Sequence, residues 1–130
     1  MVAFHNSKSM HTLHTWVQGL AKRGLFAIAI CNGGPNAVVP FGGHKGIFGT
    51  NPIAYGFSDS KGEIYCVDMA TSEAPYFEIM DAHADGKEMR EGIAVDFEGN
   101  PTKDTSEALD FSKSKSDPYS NLLPMGGGYK

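Results

Sequence analysis

Apolar and polar positions follow different rhythms along this chain. Between residues 10 and 23 the apolar side chains fall at Leu13, Trp16, Val17, Leu20 and Ala21, the spacing of one helix face. Lys22 and Arg23 stand just before Gly24, a basic end and a glycine stop, so the pattern predicts a helix over 10–23. Phe26-Ala27-Ile28-Ala29-Ile30-Cys31 is a short apolar run whose length and β-branched content predict a buried strand. Residues 53–57 alternate weakly and read as a strand. Residues 63–68 place Ile64, Cys66 and Asp68 on one face, Tyr65 and Val67 on the other. Ser58-Asp59-Ser60-Lys61-Gly62 between them has turn chemistry, which predicts antiparallel pairing and speaks against a purely parallel, doubly wound sheet.

Further along, Thr71-Ser72-Glu73 reads as a helix start, with a hydroxyl cap and an acid in the first turn. Tyr76, Ile79, Met80 and His83 keep helical spacing, and Asp85-Gly86 ends the helix. Asp96-Phe97-Glu98-Gly99-Asn100-Pro101 is a turn. Asp104 or Thr105 is placed to cap a short helix through Leu109, and Leu122-Leu123-Pro124 returns to the core. Residues 2–4 read as a short strand, and Asn6-Ser7-Lys8-Ser9 as a turn or helix cap. Residues 112–117 are low in complexity and expected to be mobile. The expected fold is α+β, a mixed, largely antiparallel sheet with flanking helices, in a single domain over 1–130.

Composition narrows the function. At 130 residues the chain is long enough for a real core, and 41% hydrophobic content fits a globular protein. A formal net charge of −4 without a basic run argues against nucleic acid as a partner. No stretch approaches the roughly 18 apolar residues of a membrane helix, so no membrane partner is expected. The N-terminus has no apolar region after a basic start, unlike a signal peptide. Cys31 and Cys66 lie in apolar runs and read as buried thiols rather than a disulfide, as a reducing cytoplasm would keep them. His11 and His14 sit three apart and would share a helix face. No other ligand is spaced to join them, so a solvated or partly packed pair is preferred to a metal site, even with His5 nearby. The patterns G-x-S-x-G and C-x-x-C are absent, and no carboxylate pair is placed for acid–base work.

Two glycine-rich breaks carry the candidate chemistry. Asn32-Gly33-Gly34-Pro35-Asn36 follows the first strand, and residues 42–49 hold His44 and Lys45 between glycines. Such loops expose backbone N–H groups that can cradle phosphate, which suggests an anion or nucleotide site. The Walker pattern and the dinucleotide fingerprint G-x-G-x-x-G are both absent. Two surface turns joining strands account for the spacing equally well.

Longer motifs add a resemblance. Pro40-Phe41-Gly42-Gly43 followed by Gly49-Thr50-Asn51-Pro52-Ile53-Ala54 resembles the central signature of the type-2 malate/L-lactate dehydrogenase family, which also contains ureidoglycolate dehydrogenases and diketogulonate and piperideine-2-carboxylate reductases. Asp68-Met69-Ala70-Thr71-Ser72 resembles its D-x-A-T-S segment, residues 94–104 its D-x-x-G-x-P-T-x-D segment, and Leu123-Pro124-Met125-Gly126-Gly127 its L-P-x-G-G segment. The four occur in family order and cover about residues 6 to 130. Gly126-Gly127-Gly128-Tyr129-Lys130 resembles G-G-x-K-G with an extra glycine. Family members are longer at both ends, so the chain resembles a central fragment: an excised piece, a proteolytic fragment or a truncated gene.

The resemblance implies a non-Rossmann cofactor domain that binds NADP or NAD. In the family the loop matching Asn32, Gly33, Gly34 and Asn36 touches the nicotinamide cofactor, often through an Asn-Ser pair. Here backbone donors remain and a hydroxyl is lost. His44, Lys45 and Gly46 match the region that meets the adenosine end, where a cation favours the 2′-phosphate of NADP and an acid would favour the ribose hydroxyls of NAD. Thr50 and Asn51 are candidates for polar contacts at the cofactor or substrate edge, and relatives use backbone near Arg90 and Glu91. The family's proton-transfer histidine belongs to an N-terminal segment, and Ser9 stands where a histidine is common, so no catalytic residue is named. The implied function is the cofactor-binding domain of a cytoplasmic, homodimeric NAD(P)-dependent oxidoreductase. It would move hydride between nicotinamide and a 2-hydroxy acid/2-oxo acid pair or a cyclic imino acid, the isolated chain being inactive. The alternative is an inactive remnant, a small binding or oligomerisation module derived from such an enzyme.

Overall fold

The computed structural model, which describes residues 1–7 and 10–128, lays helix α1 (His14–Ala21) across one face of a three-stranded antiparallel sheet. The strands are β1 (Ala27–Ile30), β2 (Ile53–Ser58) and β3 (Ile64–Met69), in that order across the sheet. The face under the helix is built from small residues. Ala27 stands opposite Gly56, and Ala29 opposite Ala54. A Cβ on Gly56 would lie 3.4 Å from the Val17 carbonyl oxygen, so the helix backbone comes close here. Leu13, Val17 and Ala21, spaced by four, are buried with Ala27 and Ala54. The predicted hairpin between β2 and β3 forms. Asp59 accepts from the Lys61 and Glu63 N–H groups, both at 2.9 Å, and Gly62 takes φ 82°.

Several expectations for this part are overturned. β1 is not buried: Phe26, Ile28 and Ile30 are exposed, because β1 is an edge strand with one covered face. The helix starts at His14, not at residue 10, because His11 sits at φ 53°, outside helical space. His11 and His14 therefore do not share a helix face. Residues 2–4 form no strand. Cys31 and Cys66 are free as expected, yet Cys66 is exposed and Cys31 half-buried, since both edges of the sheet are open. The expected cap at Lys8 and Ser9, the departure at Ser9 and the motif end at Tyr129-Lys130 lie outside the described residues.

These elements form one compact unit, Met1–Gly33 with Pro52–Met69. A second unit comprises Gly34–Asn51 and the chain from Ala70 onward. Its core gathers around Leu122, wholly buried with Ala37, Ile79, Ile93 and Ala108. The Leu122 N–H donates to Ala37 and its carbonyl accepts from Val39, both at 2.9 Å, while Leu123 donates to Ile93 at 2.8 Å. Leu122 thus threads between two segments far apart in sequence, as its apolar character predicts. Around it lie the short pairs β4 (Ala94–Val95) with β5 (Pro101–Thr102) and β6 (Leu109–Asp110) with β7 (Tyr119–Ser120), both antiparallel. Asp96 closes the first pair by accepting from the Glu98 and Asn100 N–H groups.

Helix α2 (Tyr76–Ala84) begins after Pro75, not at Thr71-Ser72-Glu73, and no side chain caps it. Proline drives the residue before it out of helical space, so a helix cannot run through Ala74 into Pro75. It ends at Asp85-Gly86 as expected. Asp104 caps α3 (Thr105–Ala108) by accepting from the Ser106 N–H. Among the described residues the architecture is α+β, with the paired strands antiparallel in three small sheets and one isolated parallel bridge between Val38 and Leu122.

Tyr76 is 7% exposed and donates its hydroxyl to the Pro118 carbonyl at 2.8 Å. Burial, and secondarily the Asp117 charge, push its phenol up to about 12. The protonated form is the one the fold favours. That stability is fully present below pH about 10, the unfolded value, and is lost as pH rises toward 12. Tyr76→Phe should cost about 1 kcal/mol at neutral pH. It should also flatten the alkaline fall in stability between about pH 10 and 12, read by denaturant melts across pH. Equal alkaline slopes in both proteins would refute the assignment.

Candidate nucleotide site

The second glycine stretch forms an arch in the second unit. At its base the Ala37 and Val38 N–H groups both donate to the Phe48 carbonyl, at 2.7 and 2.9 Å. Ile47 and Phe48 donate back to the Val38 carbonyl, at 3.0 and 3.1 Å. Gly46 pins one limb. A Cβ there would stand 2.1 Å from the Ser120 carbonyl oxygen and 2.8 Å from that of Asn36, so only glycine fits. Its N–H donates to the Asn121 side-chain oxygen at 3.1 Å. Ser120 completes the lock, donating its N–H to Asn36 at 3.0 Å and its hydroxyl to Ala37 at 2.8 Å. A glycine in such a loop suggests a backbone donor for ligand, but the Gly46 donor is already engaged within the fold.

His44 and Lys45 are exposed and line a cavity of about 240 Å³ with Gly46, Phe97, Asp110, Tyr119 and Asn121. Ligand pockets for whole small molecules run from about 300 Å³ upward, so this one suits part of a larger ligand. Hydrogen bonds from Ser112 hold the Asp110 carboxyl below its usual range, with help from the charges of Lys113 and Lys45. Asp110 is therefore ionised across the physiological range, and a carboxylate shares the cavity with the basic pair.

Thr50 and Asn51 lie outside the cavity lining. The Thr71 hydroxyl bridges their carbonyls, donating to Thr50 at 3.1 Å and Asn51 at 3.0 Å. Thr71 is thus a clamp on this strand entry rather than the helix cap expected of it. Ser72 likewise donates inward, to the Ala74 carbonyl at 2.6 Å. Asn51 takes φ 40°, uncommon for any residue but glycine, and its side-chain oxygen is buried without a hydrogen-bond partner among the described residues. The Arg90 guanidinium is engaged elsewhere, with Glu78 at 2.7 Å and with the Glu73 carbonyl. Gly34 is exposed at φ 95°. Asn32 and Gly33 belong to the first unit, where Asn32 is exposed and a Cβ on Gly33 would meet the Cys31 sulfur at 3.2 Å.

Asp68, a conceivable partner for a catalytic group, is structural. It accepts from the His14 N–H at 2.8 Å and so caps α1, with the His14 imidazole 3.7 Å away. Among the described residues no group of three His, Cys, Asp or Glu side chains could hold a metal ion. Phe97, Asp110, Tyr119 and Asn121 are not singled out by the sequence. The run Tyr119-Ser120-Asn121, polar yet adjoining a buried leucine, is the available signal.

A sequence model described as malate/L-lactate dehydrogenase matches residues 1–130. The chain is 35% identical over 127 residues to a Delta(1)-pyrroline-2-carboxylate/Delta(1)-piperideine-2-carboxylate reductase of Pseudomonas putida, covering 98% of this chain and 35% of that protein. It is 33% identical to an L-sulfolactate dehydrogenase of Methanothermobacter thermautotrophicus, covering 98% and 34%. Among solved structures, delta1-piperideine-2-carboxylate reductase from Pseudomonas syringae pv. tomato superposes with a TM-score of 0.73 at 33% identity, over 90% of this chain and 32% of that one. The chain spans about a third of the length of the curated relatives it matches.

Gly46→Ala should destabilise the protein by about 1–3 kcal/mol, because the atoms a methyl group would strike are backbone. An unchanged melting temperature would show that the arch is not locked there. Asp68→Ala should cost about 1 kcal/mol through the lost cap on α1. A variant as stable as wild type in urea titration would free Asp68 for another role.

Proposed function

The chain belongs to the malate/L-lactate dehydrogenase family, and from that premise we propose that it is the cofactor-binding part of a pyridine-nucleotide-dependent oxidoreductase. The observation that carries this reading is the cavity under the arch, where basic side chains, two aromatic rings and a carboxylate meet. Its volume matches part of a dinucleotide. Lys45, with His44 beside it, would hold phosphate. Phe97 and Tyr119 would pack against a base, and Asp110 would accept from ribose hydroxyls. Asn121, by holding Gly46, keeps the arch in place. Asn51, whose buried acceptor lacks a donor, would gain one from a ligand group at the cofactor or substrate edge.

NADP is the preferred cofactor, because two basic side chains share the cavity with one carboxylate. Nicotinamide, when bound, supplies or accepts the hydride. The substrate class is a small 2-hydroxy acid/2-oxo acid or cyclic imino acid, in line with the carboxylate for which the Pseudomonas relatives are named. The working enzyme is a homodimer in the cytoplasm, where Cys31 and Cys66 stay free thiols. No helix among the described residues is long and apolar enough to cross a membrane. A second reading, a non-catalytic oligomerisation module, is favoured by one observation, the apolar outer face of the first unit's sheet.

Fluorescence titration of the purified chain with NADPH and NADH tests the cofactor reading. NADPH should bind saturably, and Lys45→Glu should weaken it about tenfold or more while sparing NADH. Asp110→Asn should weaken NADH more than NADPH. Tighter NADH binding by wild type would reverse the cofactor preference. A folded chain that binds neither nucleotide would sink the reading.

A further inference from the structure

The chain contains six asparagines, Asn6, Asn32, Asn36, Asn51, Asn100 and Asn121, and the fold treats them unequally. The backbone nitrogen of the residue after an asparagine can attack the side-chain carbonyl carbon and close a five-membered ring. The attack needs that nitrogen free, the side chain unrestrained and little bulk on the following residue. At five of the six positions a condition fails. Asn51 and Asn100 precede prolines, which have no N–H. The Ala37 N–H after Asn36 donates to the Phe48 carbonyl at 2.7 Å, and the Leu122 N–H after Asn121 donates to the Ala37 carbonyl at 2.9 Å. Asn121 is itself 3% exposed, with its side-chain oxygen held by the Gly46 N–H. Asn6 precedes Ser7, whose side chain crowds the approach.

Asn32 differs on every count. It is exposed, lies outside helix and strand, and is followed by Gly33, the least hindered neighbour. The Gly33 N–H has no hydrogen-bond partner among the described residues. A Cβ on Gly33 would press on the Cys31 sulfur at 3.2 Å, so the loop favours the residue that leaves Asn32 reactive. We propose that Asn32 is a site of spontaneous deamidation, which the fold leaves unprotected. The Gly33 nitrogen gives up its proton and bonds to Asn32 Cγ. The Cγ–Nδ2 bond breaks, and the amide nitrogen leaves with that proton as ammonia. Water then opens the cyclic imide at either carbonyl, giving aspartate, or isoaspartate with the main chain rerouted through the side chain. No oxidant or reductant is needed. Each event takes the formal net charge from −4 to −5. The isoaspartate product also adds a methylene to the backbone where the chain leaves the first unit, which ends at Gly33. Asp85-Gly86 could close the same ring from a carboxyl group, and there the fold intervenes. The Gly86 N–H donates to the His83 carbonyl at 3.1 Å, and the Asp85 carboxylate holds Lys87 at 2.7 Å. The inference rests on the loop alone and holds whether or not the second unit binds nucleotide.

Ageing the full 130-residue chain in mildly alkaline buffer, followed by tryptic mapping with mass spectrometry, tests it. Cleavage after Arg23 and Lys45 gives a fragment, residues 24–45, that carries both Asn32 and Asn36. The fragment should gain the mass of an amide-to-acid exchange at Asn32 and split into two products of equal mass. Asn32 should convert about tenfold or more faster than any other asparagine. Asn32→Gln should abolish the gain, because glutamine would have to close a six-membered ring. A synthetic peptide of residues 24–45 sets the unprotected rate, and Asn32 in the folded chain should convert within about tenfold of it. Conversion slower than that would show that the loop shields Asn32 and would overturn the inference. Faster conversion at Asn36, or an undiminished gain in Asn32→Gln, would overturn it too.

Discussion

The lack of a side chain at Gly46 is the constraint on which the second unit's cavity depends. Two carbonyl oxygens, from Asn36 and Ser120, occupy the space a Cβ would need. Asn121 fixes the approach by taking the Gly46 N–H. The arch, the position of His44 and Lys45, and the meeting of Lys45 with Asp110 all follow from this contact. It joins residues 75 apart in sequence, so the cavity exists only once the chain has closed over Leu122. The glycine serves close packing first, and its influence on any ligand is indirect.

In the first unit a comparable constraint acts through size. α1 can lie close to the sheet because Ala27, Ala29, Ala54 and Gly56 leave room. The volume withheld on that side is concentrated on the other. One face therefore closes into a small helix-on-sheet core, while the opposite face collects isoleucines and aromatic rings. The single acid on the helix side, Asp68, is consumed at the N-terminus of α1, where the helix dipole and an unpaired N–H both favour it.

Features governed by near neighbours are legible in the amino-acid sequence. The turn at Asp59–Gly62, the Asp104 cap and the stop at Gly86 each depend on residues within a few positions. The antiparallel, non-Rossmann character follows from the same hairpin. Failures have equally definite causes. Phe26-Ala27-Ile28-Ala29-Ile30 looks uniformly apolar, and the alternation it contains is one of size, which a polar–apolar pattern does not register. The expected helix start at Thr71 is vetoed by Pro75 and by the carbonyls of Thr50 and Asn51, which draw the Thr71 hydroxyl to themselves. At the candidate site, His44 and Lys45 are visible as cations between glycines. Asp110, Tyr119 and Asn121 are not, because they reach the arch only through the fold.

Asn51 sets two selective pressures against each other. Its left-handed backbone is a conformation in which glycine would sit without strain, and its buried oxygen has no donor among the described residues. A population of variants sorted only by heat resistance would drift to glycine at this position early. If a ligand supplies that donor, as the proposed function has it, a population sorted by nucleotide binding would keep the amide. On the proposed function, this position is where the scaffold trades durability for recognition.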